Sequence, residues 1–168
     1  MQLKQIKESF GNPILRFVVA IFLGAFASVM DIIFHLPGEA SFVFFYFFPV
    51  FVAFFLYLFD RLEYGRETLW LQWGIDGVVI LFSILRAFYE IPIISGHAFF
   101  LTFAFITIRS LSSRVFMLLV WFQVMYLKIA VLHDSTFLGG FMAGLIAAGI
   151  WIWIERNIIG KSYNNEIK

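Results

Sequence analysis

The sequence predicts an all-α integral membrane protein, a six-transmembrane-helix bundle with both termini cytoplasmic. Three observations carry that reading. The 168-residue chain is 62% hydrophobic and only 14% charged, with 24 Phe and a mean hydropathy of +0.92. No single soluble core hides so much apolar surface, so the bilayer has to be the solvent for most of it. The apolar residues fall in continuous runs that do not alternate, which argues for helices and against a closed barrel. The basic residues gather at alternate ends of those runs.

A helix needs about 20 apolar residues to cross a hydrocarbon core of roughly 30 Å. The first run, Ile14 to Phe34, follows an amphipathic lead-in with no small-residue cleavage site, and reads as a retained span. The second, Ser41 to Phe59, and the third, Thr68 to Phe88, are long enough to cross. The fourth, His97 to Ile108, is short; it either starts before Ser95 or is partly re-entrant. Val115 to Leu132 and Phe137 to Ile154 complete the six. No connector is long enough for a soluble domain, so residues 1–168 read as one polytopic domain. The chain lacks cysteine, which excludes disulfides, thiol catalysis and thiolate metal sites.

Lys4, Lys7, Arg16, Arg61, Arg66, Arg109, Arg114, Arg156, Lys161 and Lys168 flank the ends that six spans put on the side of the N-terminus. Only Arg86 and Lys128 lie toward the other side. This bias predicts cytoplasmic termini in the cytoplasmic membrane. The outer face then receives Asp31, His35 and Glu39, the segment Ser95-Gly96-His97, and His133-Asp134. A cation beside an apolar run on the translocated side is costly and is usually paired or functional. Arg86 has Glu90 at i,i+4 as a candidate partner, and both cations have snorkelling as the plainer explanation. Asp76, mid-span, is a further candidate, with a hydrogen bond to Ser83 as its structural explanation.

Ser95-Gly96-His97-Ala98-Phe99-Phe100 and the stretch from Tyr126 to Gly140, with Lys128, His133 and Asp134, resemble two motifs of the type-2 phosphatidic acid phosphatase superfamily. Members of that family are integral-membrane enzymes that dephosphorylate lipid phosphates. Their motifs are Lys-x6-Arg-Pro, Pro-Ser-Gly-His and Ser-Arg-x5-His-x3-Asp. Here Ile94 replaces the proline of the second, and Arg86 stands where the arginine of the first falls. No lysine precedes Arg86 by seven residues, and Ala87 replaces the proline. Leu127 occupies the third motif's arginine position, with Lys128 one residue late, and Phe137 its acidic position. The resemblance covers about residues 86–140.

The chemistry of the residues is consistent with that family. Phosphoryl transfer needs the phosphate oxygens neutralised, an in-line nucleophile and a proton for the leaving alkoxide. Ser95 and Gly96 at a helix start offer backbone N–H groups, and Arg86 and Lys128 offer cations. The resemblance implies His133 as the nucleophile forming a phosphohistidine and His97 as the general acid. Asp134 substitutes for the carboxylate that orients His133, with Asp31, Glu39 or Glu90 as alternatives. No cofactor is implied. The expected partners are a lipid phosphate or diphosphate substrate and membrane lipids, with a second copy or another membrane subunit as further candidates, and no nucleic acid.

Two other readings stand beside this one. Asp31 and His35 share a helical face and, with His97, His133 and Asp134, suggest a metal-dependent membrane hydrolase. Alternatively the chain is a lipid-binding or scaffold subunit on a degenerate phosphatase fold. The stretch from Asp31 to Val50, with its Phe-rich run from Leu36, looks like spans of bacterial membrane-sensor modules.

Overall fold

A computed structural model of the chain describes residues 12–35, 40–64, 74–83 and 94–159. Among these residues every regular element is helical. Helix α1 spans Pro13–His35 and α2 spans Ala40–Tyr64; α3 covers Gly74–Ser83 and α4 covers Gly96–Thr107. Helix α5, Leu111–Tyr126, runs on into a π-helical turn, Leu127–Val131. Helix α6, Thr136–Ile154, ends in another, Glu155–Ile159.

These helices fall on the six expected runs. Three stretches are long and apolar enough to cross a membrane: Pro13–Met30, Leu111–Val131 and Thr136–Asn157. Their outward side chains are apolar, with Phe22, Leu111, Leu138 and Trp153 all exposed. The chain therefore has the character of an all-helical, membrane-associated protein. The fourth run is short, as expected: α4 has 12 residues, a length of about 18 Å, well under a bilayer core. The described part of the third run is α3, and the ends of that run, with Arg86, lie outside the described residues.

The chain divides into two compact units. One contains α1, α2 and α5; the other contains α3, α4, the segment after Leu127 and α6.

In the first unit, Asn12 caps α1: its Oδ1 accepts the Ile14 N–H at 2.9 Å, and Pro13 takes the first helical position, where no N–H is needed. Helices α1 and α2 approach closely at Gly24, where a Cβ would lie 2.6 Å from Val52 Cγ2. Pro49 lies within α2 and removes one intrahelical hydrogen bond. Helix α5 turns a regular stripe inward: Ser113, Met117, Val120 and Val124 are buried, at helical spacing. Its start is held by a residue of α2. Asp60, 1% exposed, accepts the Arg109 N–H on Oδ2 at 3.0 Å and the Ser110 N–H on Oδ1 at 2.8 Å. A buried carboxylate is thereby compensated by backbone donors at a helix entrance.

The second unit is organised by the pairing of α4 with α6. Ser95 meets Thr136, Ala98 and Phe99 meet Gly140, and Thr102 meets Gly144. Residue numbers rise together, so the two helices run parallel and start at the same end. A Cβ on Gly140 would overlap the Ser95 carbonyl oxygen and lie 2.9 Å from Ala98 Cβ. One on Gly144 would lie 2.7 Å from Thr102 Cβ and 2.8 Å from the Phe99 oxygen. With buried Ala148 one turn further on, these glycines form the small-residue face that allows two backbones to touch.

Candidate functional site

The site builds from the start of α4. Ser95 is its N-cap: Ser95 Oγ accepts the Ala98 N–H at 3.4 Å, and the Ser95 carbonyl accepts the Phe99 N–H at 2.9 Å. The Ser95 N–H itself donates to the Thr136 carbonyl at 2.9 Å. Two segments about 40 residues apart in sequence are joined by this bond, and their helix N-termini lie side by side. Positive dipole ends of two parallel helices then share one small region. His97 lies two residues from the joining bond and is half-buried; His133 lies three residues from it on the other side and is exposed.

Gly96 has a packing reason to be glycine. A Cβ there would lie 2.5 Å from the Ser83 carbonyl oxygen, so the end of α3 occupies the space a side chain would need. Ser83 donates its hydroxyl to the Val79 carbonyl at 2.8 Å, one turn back in its own helix, and not to Asp76, which is also buried.

The second segment is a turn with an unusual exit. After the π-helical turn, His133 adopts φ 51°, the left-handed region, and is the only non-glycine among the described residues to do so. The Asp134 N–H then donates to the Lys128 carbonyl at 2.7 Å, six residues back. This is the geometry of a helix C-terminus closed by a left-handed residue, a position usually given to Gly or Asn. The π turn widens the loop by a residue. A left-handed non-glycine residue beside a π turn marks a strained segment of the kind found at functional sites.

Lys128 and Asp134 meet across that turn. The Lys128 ammonium donates to Asp134 Oδ2 in an ion pair, with Lys128 itself only 8% exposed. Asp134 Oδ1 accepts the Thr136 N–H at 2.8 Å, so the same carboxylate caps α6. Burial by itself raises a carboxyl pKa. Here Lys128 and Thr136 outweigh it, and Asp134 is lowered to about 2. Both of its oxygens are thus engaged, with Lys128 and Thr136 as partners and not the His133 ring.

Ser95, Gly96, Lys128 and Asp134 therefore lie in one connected region, with His97 and His133 on either side of its central hydrogen bond. Arg86, Glu39 and Glu90 lie outside the described residues, as do the side chains of Asp31 and His35. Among the described residues no three His, Asp or Glu side chains gather as a metal ion requires. Two members of these networks have no motif to announce them. Thr136 joins both segments through its backbone, which no side-chain pattern reports. Asp60 has one legible signal, an acid at the end of a Phe-rich run. Comparison of the chain with known protein families, with curated proteins and with solved structures finds no match.

Proposed function

We propose that this chain is a membrane lipid phosphate or diphosphate phosphatase that works through a phosphohistidine. In this reading six helices span the membrane, the termini are cytoplasmic and the site faces outward. The observation that carries it is the Ser95–Thr136 hydrogen bond, which brings the helix start bearing His97 beside the turn bearing His133. The exposed imidazole of His133 attacks the terminal phosphorus, and the P–O bond to the lipid alcohol, or to the lipid monophosphate of a diphosphate, breaks. His97 in its protonated form gives its proton to the leaving oxygen. Water then attacks the phosphohistidine, its proton passes to His97, and inorganic phosphate leaves. The Gly96 amide, the paired helix N-termini and the two remaining N–H donors of Lys128 stabilise the phosphate oxygens, with Arg86 as a further cation.

One observation favours a second reading. The engagement of Asp134 with Lys128 and Thr136 gives both charged residues a structural task, as suits a lipid-binding subunit without turnover. The full chain in nanodiscs, supplied with lipid mono- and diphosphates, separates the two. Phosphatase action predicts release of inorganic phosphate, abolished in His133→Ala and strongly reduced in His97→Ala. It also predicts acid-labile label on the protein from phosphorus-labelled substrate, and both results unchanged by a chelator. Release unaffected by both substitutions sinks the mechanism. Binding without release supports the second reading, and loss of release with chelator supports metal-dependent hydrolysis.

A further inference from the structure

We propose that Asp134 is a built-in competitor of phosphate: its carboxylate occupies a seat for a tetrahedral oxyanion, and an incoming phosphate displaces it. The seat is formed by the Lys128 ammonium together with the backbone amide and the hydroxyl of Thr136. Identifying that phosphate with the head of a lipid substrate rests on the phosphatase reading; the seat itself does not. The family resemblance gives Asp134 the task of orienting His133, so competition is a different task for the same residue.

The groups converge on one anion. Asp134 Oδ2 takes the Lys128 ammonium, and Oδ1 accepts the Thr136 N–H at 2.8 Å. Donors that hold the two oxygens of one carboxylate are placed to hold two oxygens of a phosphate, by the same charge-assisted hydrogen bonds. Thr136 also opens α6, a helix of 19 residues whose dipole favours an anion at this point. The Thr136 hydroxyl distinguishes a tetrahedral anion from a planar one. It lies near the Asp134 carboxyl, whose pKa burial raises and Lys128 and this hydroxyl pull down. Yet its oxygen is buried, and no group among the described residues makes a hydrogen bond with it. A buried hydroxyl without a partner is costly. A third phosphate oxygen meets it, where a carboxylate has none to offer. Exposure decides which member of the pair moves. The Lys128 side chain is 10% exposed and that of Asp134 26%, so the acid turns to water while the ammonium stays. A carboxylate left beside a phosphate repels it, so Asp134 departs as phosphate enters.

The test measures anion binding without reliance on turnover, by calorimetric titration of the full chain in phosphate-free maltoside detergent. The probes are inorganic phosphate, acetate and a short-chain alkyl phosphonate, which a phosphatase does not cleave. Asp134→Ala empties the seat and is expected to bind inorganic phosphate at least about tenfold more tightly than wild type. The gain is expected to vanish in Lys128→Met/Asp134→Ala. Asp134→Asn keeps a capping oxygen without the charge; it is expected to show part of the gain and covers a folding defect in the alanine variant. Phosphate binding no tighter in either Asp134 variant than in wild type overturns the proposal. A gain that survives loss of Lys128 places the anion elsewhere and overturns it too. Acetate as tight as phosphate on Asp134→Ala overturns the tetrahedral assignment, as does an undiminished preference for phosphate in Asp134→Ala/Thr136→Val. Alkyl phosphonate that binds Asp134→Ala without displacing inorganic phosphate overturns displacement by a lipid head. Tighter phosphate binding in a chain that releases phosphate from no lipid upholds the seat and sinks the phosphatase reading alone.

Discussion

Lys128 reaches across the turn that bears His133 to bind the carboxylate of Asp134, and the same carboxylate starts the next helix. One ion pair thus spans the left-handed residue and ties the π-helical turn to the entrance of α6. Removing Lys128 leaves a partly buried carboxylate without its cation, whereas removing both groups leaves neither. A double-mutant cycle with Lys128→Met and Asp134→Asn, read by thermal unfolding in nanodiscs, is expected to give a coupling of about 1–3 kcal/mol. Additive effects would show that the pair contributes nothing.

The pH dependence of that pair follows from the depressed Asp134 pKa. Its carboxyl titrates near 2 in the folded chain, below its ordinary 3.8. The lowered value means that the charged form is favoured by folding. The contribution is complete above about pH 4 to 5 and is lost as pH falls through about 2. Wild type and Asp134→Asn should therefore differ in melting temperature by a constant amount from about pH 5 to 8. A difference that shrinks across that range would contradict the assignment.

His133 holds a backbone conformation that glycine adopts freely. His133→Gly is expected to stabilise the fold by about 1 kcal/mol relative to His133→Ala, because alanine keeps the left-handed strain. Melting temperatures of the two variants measure this directly, and equal values would remove the strain argument. Both variants lose phosphatase activity if the imidazole is the nucleophile. Stability and chemistry thereby report on the same residue separately.

The parallel contact of α4 with α6 depends on two missing side chains. Gly140→Val is expected to destabilise by about 1–3 kcal/mol or more, by forcing the Ser95 carbonyl away and straining the bond to Thr136. Gly149, where an added Cβ would meet nothing within 4 Å, is the matched control on the same helix. Gly149→Ala should be neutral or stabilising by up to about 1 kcal/mol. Similar losses at both positions would place the contact elsewhere.

Asp60 is expected to be the most sensitive acid in the first unit. Asp60→Leu deprives the Arg109 and Ser110 amides of their acceptor, and an unsatisfied buried N–H costs about 1–3 kcal/mol. Thermal unfolding and hydrogen exchange at the start of α5 should both register the loss. Protection of those two amides unchanged in Asp60→Leu would show that the cap is dispensable.

Run length and composition were enough to locate the helices from α1 to α6, because burial in lipid depends on what a segment is made of. The shortness of α4 was legible for the same reason. Gly140 and Gly144, four residues apart, share one face of α6, and the packing they permit is a matter of spacing alone. Which partner they meet was not readable. Ser95 meets Thr136 through backbone atoms that every residue type carries, so no residue identity signals it. Asp60 meets Ser110 across 50 positions, and hydropathy is blind to that distance. Lys128 looked like a cation available to phosphate, and only the left-handed turn at His133 brings Asp134 back against it. Sequence specifies where chemistry-bearing residues lie along helices. The choice among partners is made by packing, because a buried charge or amide must be satisfied by whatever the folded chain brings within hydrogen-bond reach.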